Sequence, residues 1–200
     1  MRRMSYCLLL ALLASITSLN AQTTWNGLAG DLDWFNAGNW TAGVPALGNN
    51  AAIPPGESVN IILASNTNFD FIVDNEGLIQ ISLNGFRLRI RDNMTNGPTG
   101  MILISGNNNG AFINRETITN EGIFMLNSCA QFWARNNSSL SNIGTGTFTN
   151  DGIIYELGSG SVAITGGNGI VLNDLNVAPT PTALCAPDFS IDLDQNEQAS

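Results

Sequence analysis

Short runs of β-branched and aromatic residues, separated by glycine and asparagine, recur along most of the chain. Segment 86–91 alternates strictly, with Phe, Leu and Ile on one face and three Arg on the other, which is typical of a half-buried β-strand. Other runs are apolar on both faces, as buried strands are: 61–63, 101–104, 123–126 and 170–172. Since no segment after residue 21 keeps a helical period for three turns, the pattern predicts an all-β fold.

A turn signal of asparagine, an acidic residue and glycine precedes several of these apolar runs. The clear copies are Asn75-Glu76-Gly77, Asn120-Glu121-Gly122 and Asn150-Asp151-Gly152, and the looser ones are Asn96-Gly97 and Asn168-Gly169. Successive asparagines are then 21, 24, 30 and 18 residues apart. Such self-similarity predicts a parallel β-helix, or β-solenoid, because one coil cannot bury its apolar side alone whereas stacked coils bury a continuous column. A β-sandwich is the alternative fold, but it does not explain why the turn signal recurs.

The ends of the chain differ from its body. Residues 1–21 combine two N-terminal arginines, a short apolar run and a final alanine, so they predict a secretory signal peptide cleaved before Gln22. The apolar run is too short to span about 30 Å of hydrocarbon. We expect 22–56 to form an N-terminal cap and the first strands, 57–177 the coils, 178–187 a Pro/Thr linker, and 188–200 the start of a further domain or a tail.

Composition excludes several kinds of chemistry. The 200 residues include no His and no Lys, and the formal net charge is −9. Without His there is no Ser-His-Asp triad and no His-ligated metal, and without Lys there is no P-loop and no Schiff base. The acidic balance also argues against nucleic acid as a partner, because phosphate binding needs a basic face.

Two cysteines remain after the predicted signal peptide, Cys129 and Cys185. They could pair in an oxidising compartment. The alternative is that Cys129 is a small apolar residue among apolar neighbours and Cys185 is a linker residue. We favour the second interpretation.

Two sets of side chains are candidates for ligand binding. Arg87, Arg89 and Arg91 form the one basic stripe and could bind an acidic polysaccharide, or they could be a solvent face that pairs with acids of a neighbouring coil. The acids in reach by sequence are Asp70, Asp74 and Glu76. The tryptophans of the cap could stack on sugar rings or form the core of the cap. They are Trp25, Trp34 and Trp40.

Acidic residues suggest two weaker possibilities. Asp31 and Asp33 could be paired carboxylates for glycoside hydrolysis, but no further acid nearby completes a site. The turns at 74–76, 120–121 and 150–151 could bind Ca²⁺, or their side chains could serve local hydrogen bonds. We predict no catalytic residue and no resident cofactor.

The cap segment also carries a resemblance. Trp25-Asn26-Gly27, followed by Asp33-Trp34, Asn39-Trp40-Thr41 and Val44-Pro45, is similar to the start of large secreted bacterial surface proteins. In these a "W-x-G … D-W … N-W … V-P" segment caps a right-handed parallel β-helix. The resemblance extends over residues 25–175. It implies extracellular placement and an adhesin-type, multi-domain architecture.

Together these observations predict a secreted or cell-surface structural or adhesive module, without catalysis, whose partner is a glycan or an extracellular protein. The alternative is a polysaccharide-acting β-helix enzyme, a lyase or hydrolase. A passive spacer without a ligand is a third interpretation. We expect no membrane span once the signal peptide is removed.

Overall fold

The chain passes through three parallel sheets in a fixed order, so that each complete coil contributes one strand to each sheet. The computed structural model describes residues 21–106 and 110–173. Sheet I contains β1 (Ala21–Thr24), β2 (Asn49–Ile53), β5 (Val73–Asn75), β8 (Met94–Asn96), β11 (Thr117–Asn120), β14 (Ser139–Asn142) and β17 (Ser161–Val162). Sheet II contains β3 (Ser58–Ile62), β6 (Leu78–Ser82), β9 (Met101–Ser105), β12 (Ile123–Leu126) and β15 (Thr147–Asn150). Sheet III contains β4 (Thr67–Phe69), β7 (Arg87–Ile90), β10 (Ala111–Asn114), β13 (Gln131–Arg135), β16 (Ile153–Leu157) and β18 (Ile170–Asn173).

The strands from β2 to β16 make five complete coils of a parallel β-solenoid, which confirms the predicted fold class. Every strand pair is parallel and joins equivalent positions of successive coils, as Phe112 of β10 joins Phe132 of β13. Because side chains alternate across a strand, this register keeps one set of residues inside the solenoid and the other outside. The right-handed sense implied by the resemblance stays a prediction.

An apolar column from all three sheets fills the interior. Phe124 of β12 is fully buried, and its ring lies 6.1 Å from Phe112, 6.0 Å from Phe132 and 5.0 Å from Phe148, measured between ring centroids. These phenylalanines come from successive coils and from two sheets, so the coils interlock rather than merely stack. Burying each such ring stabilises the fold by about 1.5–3 kcal/mol.

Four asparagines, three buried and the last half-buried, form a ladder along the inner edge of sheet I. Asn75, Asn96, Asn120 and Asn142 end successive strands, and each of the first three donates a side-chain hydrogen bond to the next. The prediction of the repeat is therefore correct at Asn75, Asn96 and Asn120, and wrong at the next position, where Asn142 replaces Asn150. Asn150 ends β15 of sheet II, and its Oδ1 accepts from the backbone N–H of Gly152 in a turn at a different corner. The same Asx-turn chemistry serves both corners, which explains why the sequence signal conflates them.

A tryptophan cluster covers the first coil. β1 pairs with β2, and the chain then folds through a short 3-10 helix, Ala37–Asn39. Trp40 lies edge-on to Trp25 and Trp34, and Trp34 stacks on Phe69 at 4.9 Å between ring centroids. Phe69 belongs to the first coil, so these rings close the apolar end that a terminal coil would otherwise expose.

The structure corrects the interpretation of the cysteines. Cys129 is half-buried in the turn before β13 and is disulfide-bonded, so it is not a simple apolar core residue. Cys185, like the predicted signal peptide up to residue 20, the linker 178–187 and segment 188–200, lies outside the described residues. Across 21–106 and 110–173, no helix has the length and apolar character needed to cross a membrane.

Candidate binding surfaces

Each sheet presents an outer face, and the three faces differ in chemistry. Sheet I shows a polar row, Asp74, Thr95, Thr119 and Ser141, in which every residue lies beside its equivalent in the next coil. Burial raises the pKa of Asp74 in this row, and a hydrogen bond with Thr95 opposes that effect. The outer face of sheet II is apolar. On the outer face of sheet III, arginines lie beside apolar residues.

The apolar outer face of sheet II was not predicted from the sequence. One row places Leu78, Met101 and Ile123 side by side, and the next row places Leu103 beside Met125. We call these five residues the sheet II patch. Four of them are half-buried and Ile123 is 40% exposed. Polar residues border the patch, with Gln80 on one side and Thr149 on the other in the row of Leu103.

The prediction that segments 101–104 and 123–126 are buried on both faces is wrong, because the patch residues on β9 and β12 face outward. Ile62 of β3 is a further outward residue of the same kind and is 56% exposed. A run of apolar residues identified the strands, but it could not distinguish a covered sheet from one with an open apolar face.

The three arginines of the predicted stripe differ in position and in exposure. Arg87 and Arg89 project from β7 and are half-buried, and Arg91 follows the strand and is exposed. The Arg91 Nη1 lies 3.7 Å from an Asp70 carboxylate oxygen, which confirms one of the expected acidic partners on a neighbouring coil. Such an exposed pair contributes about 0–1 kcal/mol. The Arg87 guanidinium lies over the Trp133 ring, 5.6 Å from its centroid, where a cation–π contact holds it against the sheet.

The three cap tryptophans lie in the core of the cap. Trp25, Trp34 and Trp40 are 1–4% exposed, and the Trp40 indole N–H donates to the Trp34 carbonyl at 2.8 Å. A sugar could stack on these rings only if the cap opened. Their role in ligand binding, like that of the arginine stripe, stays a prediction.

Asp31 and Asp33 organise the cap turn. The Asp31 carboxylate accepts hydrogen bonds from the side chains of Asn36 and Asn39, each at 2.6 Å, and from the backbone N–H of Asp33. These bonds favour the charged form, the two asparagines most strongly, and lower the pKa of Asp31 below its ordinary value. Asp33 accepts from the backbone N–H of Phe35. Both carboxylates thus have local structural partners.

Two other features, a small cavity and the acidic turns, were considered as possible ligand or metal sites. Arg115, Glu116, Arg135 and Asn136 line a cavity of about 210 Å³ at the corner after sheet III. That volume is below the range of about 300–1,000 Å³ typical of small-molecule sites. Among residues 21–106 and 110–173, no three His, Cys, Asp or Glu side chains are grouped to hold a metal ion. Asn75 and Asn120, considered above as calcium ligands, belong to the buried ladder.

Comparison of the chain with protein-family models, curated proteins and solved structures finds no match. The fold and the surfaces define the class: the chain is a parallel β-solenoid with an aromatic cluster at its N-terminal region. Because solenoids of this kind support many functions, the function has to be argued from the exposed surfaces.

Proposed function

We propose that this chain is a secreted or cell-surface structural module that binds an extracellular partner through the sheet II patch and performs no catalysis. The observation that carries the proposal is the patch itself: five large apolar side chains lie in register on an open sheet face. A contiguous exposed apolar surface with a polar border is typical of an interaction site.

The rigidity of the coils supports this role. Strand pairing is continuous from coil to coil, and the buried asparagines link sheet I independently of the backbone. The patch residues on β6, β9 and β12 are therefore held in one arrangement before any partner arrives. Preorganisation of this kind reduces the ordering that binding would otherwise require.

The chemistry of the patch favours a protein partner over an acidic glycan. Leu78, Met101, Leu103, Ile123 and Met125 carry no charge and no strong hydrogen-bonding group. Methionine adapts to irregular apolar surfaces and is common where partners vary. A polyanionic sugar would instead need a basic surface, and the chain is acidic overall.

A paired variant on the outer face tests the proposal. Leu103→Gln with Met125→Gln makes the patch polar without disturbing the core, since Gln80 already occupies the same row of sheet II. The control is Thr95→Gln with Thr119→Gln, the equivalent change on the outer face of sheet I. Each protein is passed over immobilised extracellular matrix proteins and glycans, and thermal unfolding checks that the fold is kept.

We expect the unmodified protein and the control to bind a matrix protein and the patch variant to lose at least tenfold in affinity. Equal binding by all three proteins would contradict the proposal, and so would binding to glycans alone. Release of reducing or unsaturated sugar ends from a polysaccharide panel would favour the lyase or hydrolase alternative instead.

A further inference from the structure

The sheet II patch contains two methionines, and both project from the solenoid. Met101 on β9 and Met125 on β12 are half-buried, whereas their strand neighbours Ile102 and Phe124 are fully buried in the core. Because side chains alternate across a strand, the two thioethers lie on the outer face of sheet II. Solvent therefore reaches part of both side chains.

The remaining methionine after residue 21 has the opposite environment. Met94 on β8 is 2% exposed and belongs to the apolar column of the interior. Met1 and Met4 belong to the predicted signal peptide. Two of the three methionines that follow residue 21 thus lie within one surface of five residues, and a reagent in solution meets them before it meets Met94.

The strands of sheet II carry no charge. None of β3, β6, β9, β12 and β15 contains an acidic or a basic residue. The chain as a whole has a net charge of −9, so this sheet is a neutral surface on an acidic protein. Binding on its outer face depends on apolar contact, and a polar group introduced there would find no charged partner within the sheet.

Apolar neighbours surround Met101 in its row. It lies between Leu78 and Ile123, and neither of these side chains can donate a hydrogen bond. Met125 has Leu103 on one side and the polar border of the patch on the other. A hydrogen-bond acceptor at Met101 would therefore rely on water, and an apolar partner that displaced this water would leave the acceptor unpaired.

We propose that Met101 and Met125 are the oxidation site of this chain and that their sulfoxides switch off apolar binding by the sheet II patch. The inference rests on the proposed function, because the patch is the surface that the partner covers. Hydrogen peroxide transfers one oxygen atom to each thioether sulfur. The S–O bond forms as the O–O bond breaks, the sulfur is oxidised and the peroxide is reduced to water.

The modification changes the surface and leaves the core as it is. A sulfoxide is polar where the thioether was apolar, so two oxidised residues make the centre of the patch hydrophilic. Met94, which packs inside the solenoid, keeps its thioether and the interior stays intact. Enzymes that reduce methionine sulfoxide restore the thioether, so the switch is reversible.

Peptide mapping after peroxide treatment tests the selectivity. Once the disulfide is reduced, trypsin releases peptide 92–115 with Met94 and Met101, and peptide 116–135 with Met125. Fragment masses locate each added oxygen atom. We expect Met101 and Met125 to be oxidised at least tenfold faster than Met94 in the folded protein, and all three at similar rates in urea. Equal rates in the folded protein would overturn the proposal.

Retention on phenyl-agarose tests the switch with an apolar probe that requires no protein partner. The proteins are the unmodified chain, the double variant Met101→Leu with Met125→Leu, and Met94→Leu as the matched control. Each treated sample is compared with its own untreated sample, so any effect of the substitution itself cancels. Peroxide should shorten the retention of the unmodified chain and of Met94→Leu, and leave that of the double variant unchanged. A shift that persists in the double variant, or none in the unmodified chain, would refute the switch.

Binding to immobilised matrix proteins separates this proposal from the proposed function. If the untreated chain binds none of them, the proposed function fails, while the mapping and the column still decide the oxidation site. Where it binds, we expect peroxide to weaken the affinity at least tenfold, and to have no such effect on the double variant. Undiminished binding after oxidation of both methionines would overturn the proposal. So would loss of the fold in thermal unfolding, because oxidation would then act through the core.

Discussion

The side chain of Asn96 donates a hydrogen bond from its Nδ2 to the Oδ1 of Asn120, with 2.7 Å between the two atoms. Asn96 in turn accepts from the Nδ2 of Asn75, also at 2.7 Å. Both bonds run along the solenoid axis in the interior, where an amide without a partner destabilises the fold. The ladder therefore selects asparagine at the ends of β5, β8, β11 and β14, in addition to the turns that follow them.

Asn96→Ala should lower the free energy of unfolding by about 1–3 kcal/mol, because it removes the donor to Asn120 and the acceptor of Asn75 in a buried site. Urea unfolding measures the change. Asn68→Ala is the control, since that side chain is exposed on β4 and the change should be small. Equal effects of the two substitutions would show that the ladder does not stabilise the interior.

Phe124→Ala should lower the free energy of unfolding by about 3–5 kcal/mol, since it opens a cavity where three other phenylalanine rings meet. The neighbouring Ile123→Ala provides a matched control on the same strand, because that side chain faces outward. Thermal and urea unfolding of both variants check the prediction. A small loss for Phe124→Ala would mean that the column repacks around the gap.

Gly122→Ala should destabilise the turn between β11 and β12. An added Cβ would meet the carbonyl oxygens of Gly100 and Gly97 in the coil next to it. The Gly100 carbonyl already accepts from the N–H of Ile123 at 3.0 Å, so it cannot move away without loss of that bond. We expect a loss of about 1–3 kcal/mol.

Gly166→Ala is the control for this clash, because nothing lies within 4 Å of the Cβ it would add. Its free energy of unfolding should stay within about 1 kcal/mol of the unmodified protein. If both glycine variants lose stability equally, backbone flexibility and not the contact with Gly100 is the cause.

The stability of the cap should depend on the charge of Asp31. Hydrogen bonds from Asn36 and Asn39 lower the pKa of Asp31, so its contribution to stability is present above its ordinary pKa of 3.8 and is lost as the pH falls below that value. Asp31→Ala should therefore destabilise the protein at pH 7, with a difference from the unmodified protein that shrinks toward pH 2. Tryptophan fluorescence during urea unfolding at several pH values follows the cap, which contains three of the four Trp.

Asp151→Ala is the matched control for the cap. Its carboxylate accepts one backbone hydrogen bond from Asn168 near the other end of the solenoid, away from the tryptophans. We expect it to leave the pH dependence of the cap signal unchanged. A difference between Asp31→Ala and the unmodified protein that is independent of pH would contradict the role given to the Asp31 charge.

The local pattern of apolar and polar residues was sufficient to predict much of the fold. Alternation at 86–91 placed Leu88 and Ile90 inside and the arginines outside β7, as the structure has them. The recurring turn signal identified coils and three members of the ladder. It failed at Asn142, because Ser-Asn-Ile-Gly has neither an acidic residue nor a glycine directly after the asparagine, while Asn150 carries the signal at a different corner.

The binding surfaces could not be predicted in the same way. Alternation predicts which residues share a face of a strand. It places Ile113 of sheet III and Met125 of sheet II on outer faces alike, and it does not predict their exposure. Only the assembled sheets show that Ile113 is buried and that Met125 is half-exposed.

The sequence by itself determined the acidic character from composition, and it determined the all-β class, the repeating coils and the aromatic cap from patterns that local neighbours set. The tertiary structure decided which asparagines meet, which outer face stays open and where Cys129 lies. Those properties depend on contacts between coils more than 20 residues apart, as in the pair Asn96 and Asn120. Coil lengths vary, since the asparagines of the ladder are 21, 24 and 22 residues apart, yet each lies in register with the next.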